Sequence, residues 1–123
     1  MTEKTWQDQW EEAAKKERAA FDQIDVLDLL DMLRRRQFGQ YYSIWYSIAA
    51  RSTLKEAGWA LIDVLERRSV DALFRCHCAS ALIALMQTNQ WQPTDVCADE
   101  AEGFAKRLRE FKRDVMQQIM REG

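Results

Sequence analysis

The chain has 123 residues, 47% apolar and 31% charged, with one proline, four glycines and five tryptophans. That length and balance fit one globular domain with its own core and exclude a disordered chain, while so few turn-forming residues exclude a sheet-rich fold, which needs a breaker every ~8–12 residues. Eighteen basic against twenty acidic side chains leave a formal charge of −2, so no global field draws the chain to nucleic acid.

The opening "MTEKTWQDQW" lacks the apolar run of a signal peptide. The longest apolar stretch, "ALIALM", falls far short of the ~20 residues of a membrane-spanning helix. An odd count of three cysteines without an export signal predicts reduced thiols and a cytoplasmic protein.

Residues 1–22 read as an N-terminal amphipathic helix or arm, with Trp6, Trp10, Ala13, Ala14 and Phe21 near helical spacing. The helical core is expected over 23–90. In its first helix Val26, Leu29, Leu30 and Leu33 recur at i, i+3, i+4 and i+7. Asp22 is the expected N-cap, Arg34, Arg35 and Arg36 gather at the end the dipole prefers, and Gly39 breaks the chain. In "FGQYYSIWYSIAARS" the same rhythm runs through Phe38, Tyr41, Tyr42, Trp45, Ile48 and Ala49, with Ile44 and Tyr46 on the other side. Thr53 and Glu56 form an S/T-x-x-E capping box opening a helix whose core face is Leu54, Ala57, Gly58, Leu61, Ile62 and Leu65, closed by Arg67 and Arg68. Ser69 is placed to cap the next helix, to about Met86. After Pro93, Thr94 is the expected cap of a long C-terminal helix over 94–122. Along it Cys97, Ala101, Phe104, Leu108, Phe111, Val115 and Gln118 make a heptad-like seam. Asp95, Asp99, Glu100 and Glu102 precede the basic residues, as the dipole prefers. The seam is expected to pack on the body; pairing with a second copy, as a homodimer, is the alternative.

Cys76-His77-Cys78 raises the question of a metal. On a helix successive residues step by about 100°, so Cys76 and Cys78 point some 200° apart and cannot grip one tetrahedral ion. Cys78 falls within an apolar wheel centred on Val70, Phe74, Ala81 and Leu85, His77 lies at its margin, and Cys76 joins another side with Ala72, Ala79 and Ile83. Packing is the expected role of both cysteines. Adjacent helical positions do not face one another, so His77 cannot serve either neighbouring thiol as a base. The residues therefore predict no metal, no cofactor and no catalytic site.

From Tyr42 to Met86 the chain resembles HEAT-like helical repeats. The family's R-x-x-A-x-x-A-L pattern is matched by Arg75-x-x-Cys78-x-x-Ala81-Leu82, with cysteine in place of alanine, and the spacing is echoed by Tyr42-x-x-Trp45-x-x-Ile48-Ala49. The resemblance implies antiparallel helical hairpins in a stack whose exposed face binds another protein. The fold expected is thus all-α, one domain of five to six helices, stacked or bundled. The function expected is a cytoplasmic protein–protein interaction module without catalytic activity, of which an immunity or antitoxin protein covering a basic toxin is one form. The candidate partner contacts are Tyr46, off the main apolar face; Trp59; and the acidic stripe Asp25, Asp28 and Asp31, since acidic patches steer cationic partners. The alternative is a small-ligand or metal-binding bundle built on His77 and the aromatic cluster.

Overall fold

The computed structural model describes residues 5–67, 69–97 and 102–122 and folds them into seven helices of one domain, with no strand among the described residues. They are α1 (Trp6–Asp22), α2 (Val26–Arg34), α3 (Ser43–Arg51), α4 (Leu54–Glu66), α5 (Ala72–Met86), α6 (Pro93–Cys97) and α7 (Phe104–Glu122). No helix among the described residues is long and apolar enough to cross a membrane.

The N-terminal segment is a helix. Thr5 accepts from the Asp8 N–H while the Asp8 carboxylate accepts from the Thr5 N–H, a reciprocal box that starts α1 without any apolar signal. α1 packs chiefly on α3 and buries only Phe21 fully. Its docking is largely polar. Glu17 accepts from the backbone N–H groups of Gln40 (2.8 Å), Tyr41 (3.0 Å) and Ser43 (3.4 Å), and Ser43 Oγ donates to Ala14 O.

Asp22 does not cap α2. It ends α1, where its carboxylate accepts from Arg18 Nε and from Ser47 Oγ at 2.6 Å, and the Ser47 hydrogen bond chiefly holds it below the usual carboxylate range. Asp25 takes the N-cap position of α2 instead. Arg51, at the end of α3, reaches across to Phe21 O in the last turn of α1 and to Ile24 O in the connection to α2, tying α3 to this corner.

α3 begins later than the aromatic rhythm predicts. Gly39 and Tyr42 both adopt positive φ, 75° and 63°, and this turn holds Phe38, Tyr41 and Tyr42 outside the helix. Phe38 is buried all the same, against Trp45 and Phe74, because ring packing depends on where the turn returns the chain. The periodicity therefore found Phe38, Trp45 and Ile48, which are buried, but Tyr41, Tyr42 and Ala49 are only partly covered, Ile44 on the other side is buried, and the boundary lies later.

α4 and α5 form the centre. α4 packs on α2, α5 and α7, and α5 packs on α3, α4 and α6. Every residue expected on the α4 core face is buried, together with Ala60 and Val64. Thr53 caps α4 as predicted, but the reciprocal half of the box is absent: Glu56 accepts from Ser52 Oγ instead. The cap of α5 is Asp71, accepting from the Leu73 N–H, while Ser69 accepts from Arg36 Nη2. Its buried face runs through Arg75, Cys78, Ala79, Ala81, Leu82 and Met86, with Phe74 and Leu85 only partly covered. That face is rotated from the expected wheel because neighbours cover α5 on several sides.

The expected helix over 94–122 is two helices. Thr94 lies inside α6, which opens on Pro93, the position where a missing N–H costs nothing. Gly103 has φ 77°, Phe104 starts α7 as a buried residue, and Arg107 Nε donates back to Asp95 O. The described part of the seam packs on the body: Phe104, Phe111, Val115 and Ile119 are buried, and Ile119 lies over Gly58, where a Cβ would stand 2.6 Å from its Cδ1. Gln118, expected in the seam, donates to Met86 O. Arg68, Asp99, Glu100 and Ala101, assigned roles from the sequence, lie outside the described residues.

Candidate functional site

α5 runs unbroken through Arg75-Cys76-His77-Cys78, and its three central side chains take three different environments. Cys76 forms a disulfide with Cys97 at the end of α6, joining the two helices. The expectation of reduced thiols is thereby overturned for two of the three cysteines, and with it the cysteine argument for a reducing compartment. Cys78 is the free cysteine; it is buried, its Sγ donates to Leu61 O at 3.0 Å, and desolvation pushes its thiol well up from the ordinary value. Both sulfurs are thus engaged, and among the described residues no group of three or more His, Cys, Asp or Glu converges as a metal site.

His77 points the third way, toward α3. Its ring stacks on Tyr42, with centroids 4.1 Å apart and planes 15° off parallel, and its Nδ1 lies 3.1 Å from Tyr46 Oη. Desolvation lowers the His77 pKa, so the imidazole is neutral near pH 7. Tyr42 in turn meets Phe74, which meets Phe38. A chain of rings thus runs from the core to the surface and ends at Tyr46, 47% exposed; on α5, Leu73, one helical turn before His77, is 50% exposed. Chemically this unit offers flat apolar faces and a phenol held by a neutral imidazole. Of the two α5 cysteines that flank His77, Cys76 is held in a disulfide and Cys78 is a buried thiol.

The other predicted contacts lie apart from it. Trp59 is 51% exposed on α4, and no ring contact or hydrogen bond joins it to Tyr46 or to the aspartates. Asp25 and Asp28 are exposed at the start of α2, whereas Asp31 is partly covered and pairs with Arg35 Nε at 3.0 Å. The acidic stripe is therefore partly neutralised by its own helix. Two members of the arginine run have separate partners, Arg35 with Asp31 and Arg36 with Ser69. Sequence reading singled out Tyr46 and His77 separately. What it missed is their meeting, along with the Cys76–Cys97 pairing, since both depend on how α3 and α6 sit on α5. Compared with known protein families, curated proteins and solved structures, the chain matches none.

Proposed function

We propose that the protein is a helical protein–protein interaction module that holds its partner on the α3–α5 surface around Tyr46 and has no catalytic step of its own. The observation that carries this reading is the Tyr42–His77–Tyr46 unit. A half-exposed tyrosine contributes little to a core, yet here its hydroxyl is fixed by His77 and the imidazole is fixed by stacking. Such rigid aromatic anchors lose little conformational entropy on binding and are the residues that dominate interface energies. The HEAT-like pattern of Arg75, Cys78, Ala81 and Leu82 points to the same class of function. Asp25, Asp28 and Trp59 serve as secondary contacts under this reading, and a basic toxin covered by the module is one partner that suits them.

The test is site-specific photocrosslinking in the cells that make the protein, with a benzophenone side chain at position 46, 59 or 28, or at the exposed Ala19 of α1 as control. Position 46 should give a discrete crosslinked species that position 19 does not. A yield at 46 no higher than at 19 would refute the assignment.

A further inference from the structure

α7 carries two stripes of residues at alternating steps of three and four. One is Phe104, Leu108, Phe111 and Val115, which packs on the body. The other is Lys106, Arg109, Arg113, Met116 and Met120. At about 100° per residue the second stripe centres on the opposite side of the rod from the first. Lys106, Arg109, Arg113 and Met120 are exposed, Met120 at 77%, and Met116 is partly buried. Arg109, Arg113, Met116 and Met120 line one shallow, largely apolar groove along the helix with Lys112 and Gln117.

Helix stability accounts for those cations only in part. α7 starts at Phe104, so Lys106 stands in the first turn and Arg109 in the second, near the positive end of the helix dipole, and the first turn carries no acid to offset them. Lys106 and Arg109 are spaced i, i+3 and Arg109 and Arg113 i, i+4, where like charges repel. Among the described residues none of the three has an ion pair; the cation of this region that has one, Lys112, bonds Glu66 of α4 and lies off the stripe. Glu110, at i+4 from Lys106 and i−3 from Arg113, offsets part of this charge, and the excess of cations, followed in register by two methionines, suits an occupant that neutralises the first half and covers the second.

We infer that this stripe is a docking seam for an acidic amphipathic helix of a partner protein. Its carboxylates, spaced by three and four residues, meet Lys106, Arg109 and Arg113, and apolar side chains one to two turns further along pack on Met116 and Met120. A helix laid in a heptad register presents that spacing, and methionines adapt to the apolar side chains offered. Other occupants fit less well. A bilayer-bound helix uses Trp, Phe or Leu on its apolar face, and this stripe has none, with Glu110 flanking its basic half. A nucleic-acid backbone would leave the methionines without a role. A second copy would set the cations against methionines if antiparallel and against cations if parallel, neutralising them in neither case. The seam is distinct from the Tyr46 surface and does not depend on it.

The test uses the full chain and a fluorescent synthetic helix of ~21 residues, three heptads, with Glu opposite the cations and Leu opposite the methionines. A control peptide has the same composition with the register scrambled. Anisotropy should show the register peptide binding at least about tenfold more tightly than the scrambled one. That preference should vanish in the triple variant Lys106→Glu/Arg109→Glu/Arg113→Glu and persist in Tyr46→Ala, each checked for folding by circular dichroism. Because the triple variant could fail to fold, the exposed Met120→Lys is a second probe and should weaken the register peptide alone. Equal binding of the two peptides, an unchanged affinity in the folded charge-reversed chain, or tighter binding to a short DNA duplex or to phosphatidylglycerol vesicles would overturn the inference.

Discussion

Removing the Glu17 carboxylate should undock α1 while leaving the rest of the domain folded. Glu17 makes two short hydrogen bonds to backbone N–H groups, at 2.8 and 3.0 Å, and a third near the limit at 3.4 Å. A hydrogen bond to a charged group contributes roughly 1.5–3 kcal/mol, but Gln40 is exposed and Tyr41 only partly buried, so water can replace the lost acceptor and the lower end of that range applies. Two effective bonds then give about 2–3 kcal/mol for Glu17→Ala and about half of that for Glu17→Gln, which keeps a neutral acceptor. Since α1 buries only Phe21 fully, no large apolar term masks the loss. The assay is native-state hydrogen exchange. Amides of α1 in Glu17→Ala should exchange roughly 30–150-fold faster, while those of α4 and α5 keep their protection. Unchanged exchange in α1, or an equal loss across α1, α4 and α5, would refute the reasoning: the first would show that the carboxylate does not hold the helix, the second that α1 is not a separate unit.

Three further outcomes are expected. Cutting the Cys76–Cys97 link, which closes a loop of sequence separation 21, should lower stability by about 3 kcal/mol and the melting temperature by about 10 °C; melts with and without a phosphine reductant, beside the non-reduced mass, check it. Asp22 has its folded pKa lowered, first by Ser47, so its contribution is complete above the unfolded value near pH 4 and is lost as pH falls through the lowered folded value; Ser47→Ala should raise that acid midpoint, as read by urea denaturation across pH. Leu82→Ala, at a fully buried position of α5, should cost about 3–5 kcal/mol in the same titration.

The unevenness of what could be read from the chain has a physical basis. Val26, Leu29, Leu30 and Leu33 announce α2, and the six core residues of α4 announce that helix, because burial on one face imposes a period local to the segment. Gly39 announces a break for an equally local reason, a positive φ that glycine adopts freely. The start of α3 was hidden because Tyr42, not a glycine, occupies a left-handed conformation there, stabilised by Glu17 some 25 residues earlier in the chain and by the stack on His77. The division of the C-terminal helix does carry a local marker, Gly103 at positive φ, but Arg107 also supports it by donating to Asp95 O and Glu102 O, contacts that helical periodicity does not announce.

The sequence alone thus determined the class of the protein: an all-helical domain, the buried faces of α2 and α4, and the impossibility of Cys76 and Cys78 sharing one ion from a continuous helix. These follow from the 3.6-residue repeat, which acts within a segment. Only the tertiary structure decided that His77 meets Tyr46, that Cys76 meets Cys97, and that α7 turns a cationic, methionine-bearing stripe outward. Each of those depends on the packing of elements distant in sequence, and side-chain periodicity carries no information on which helix will lie against which.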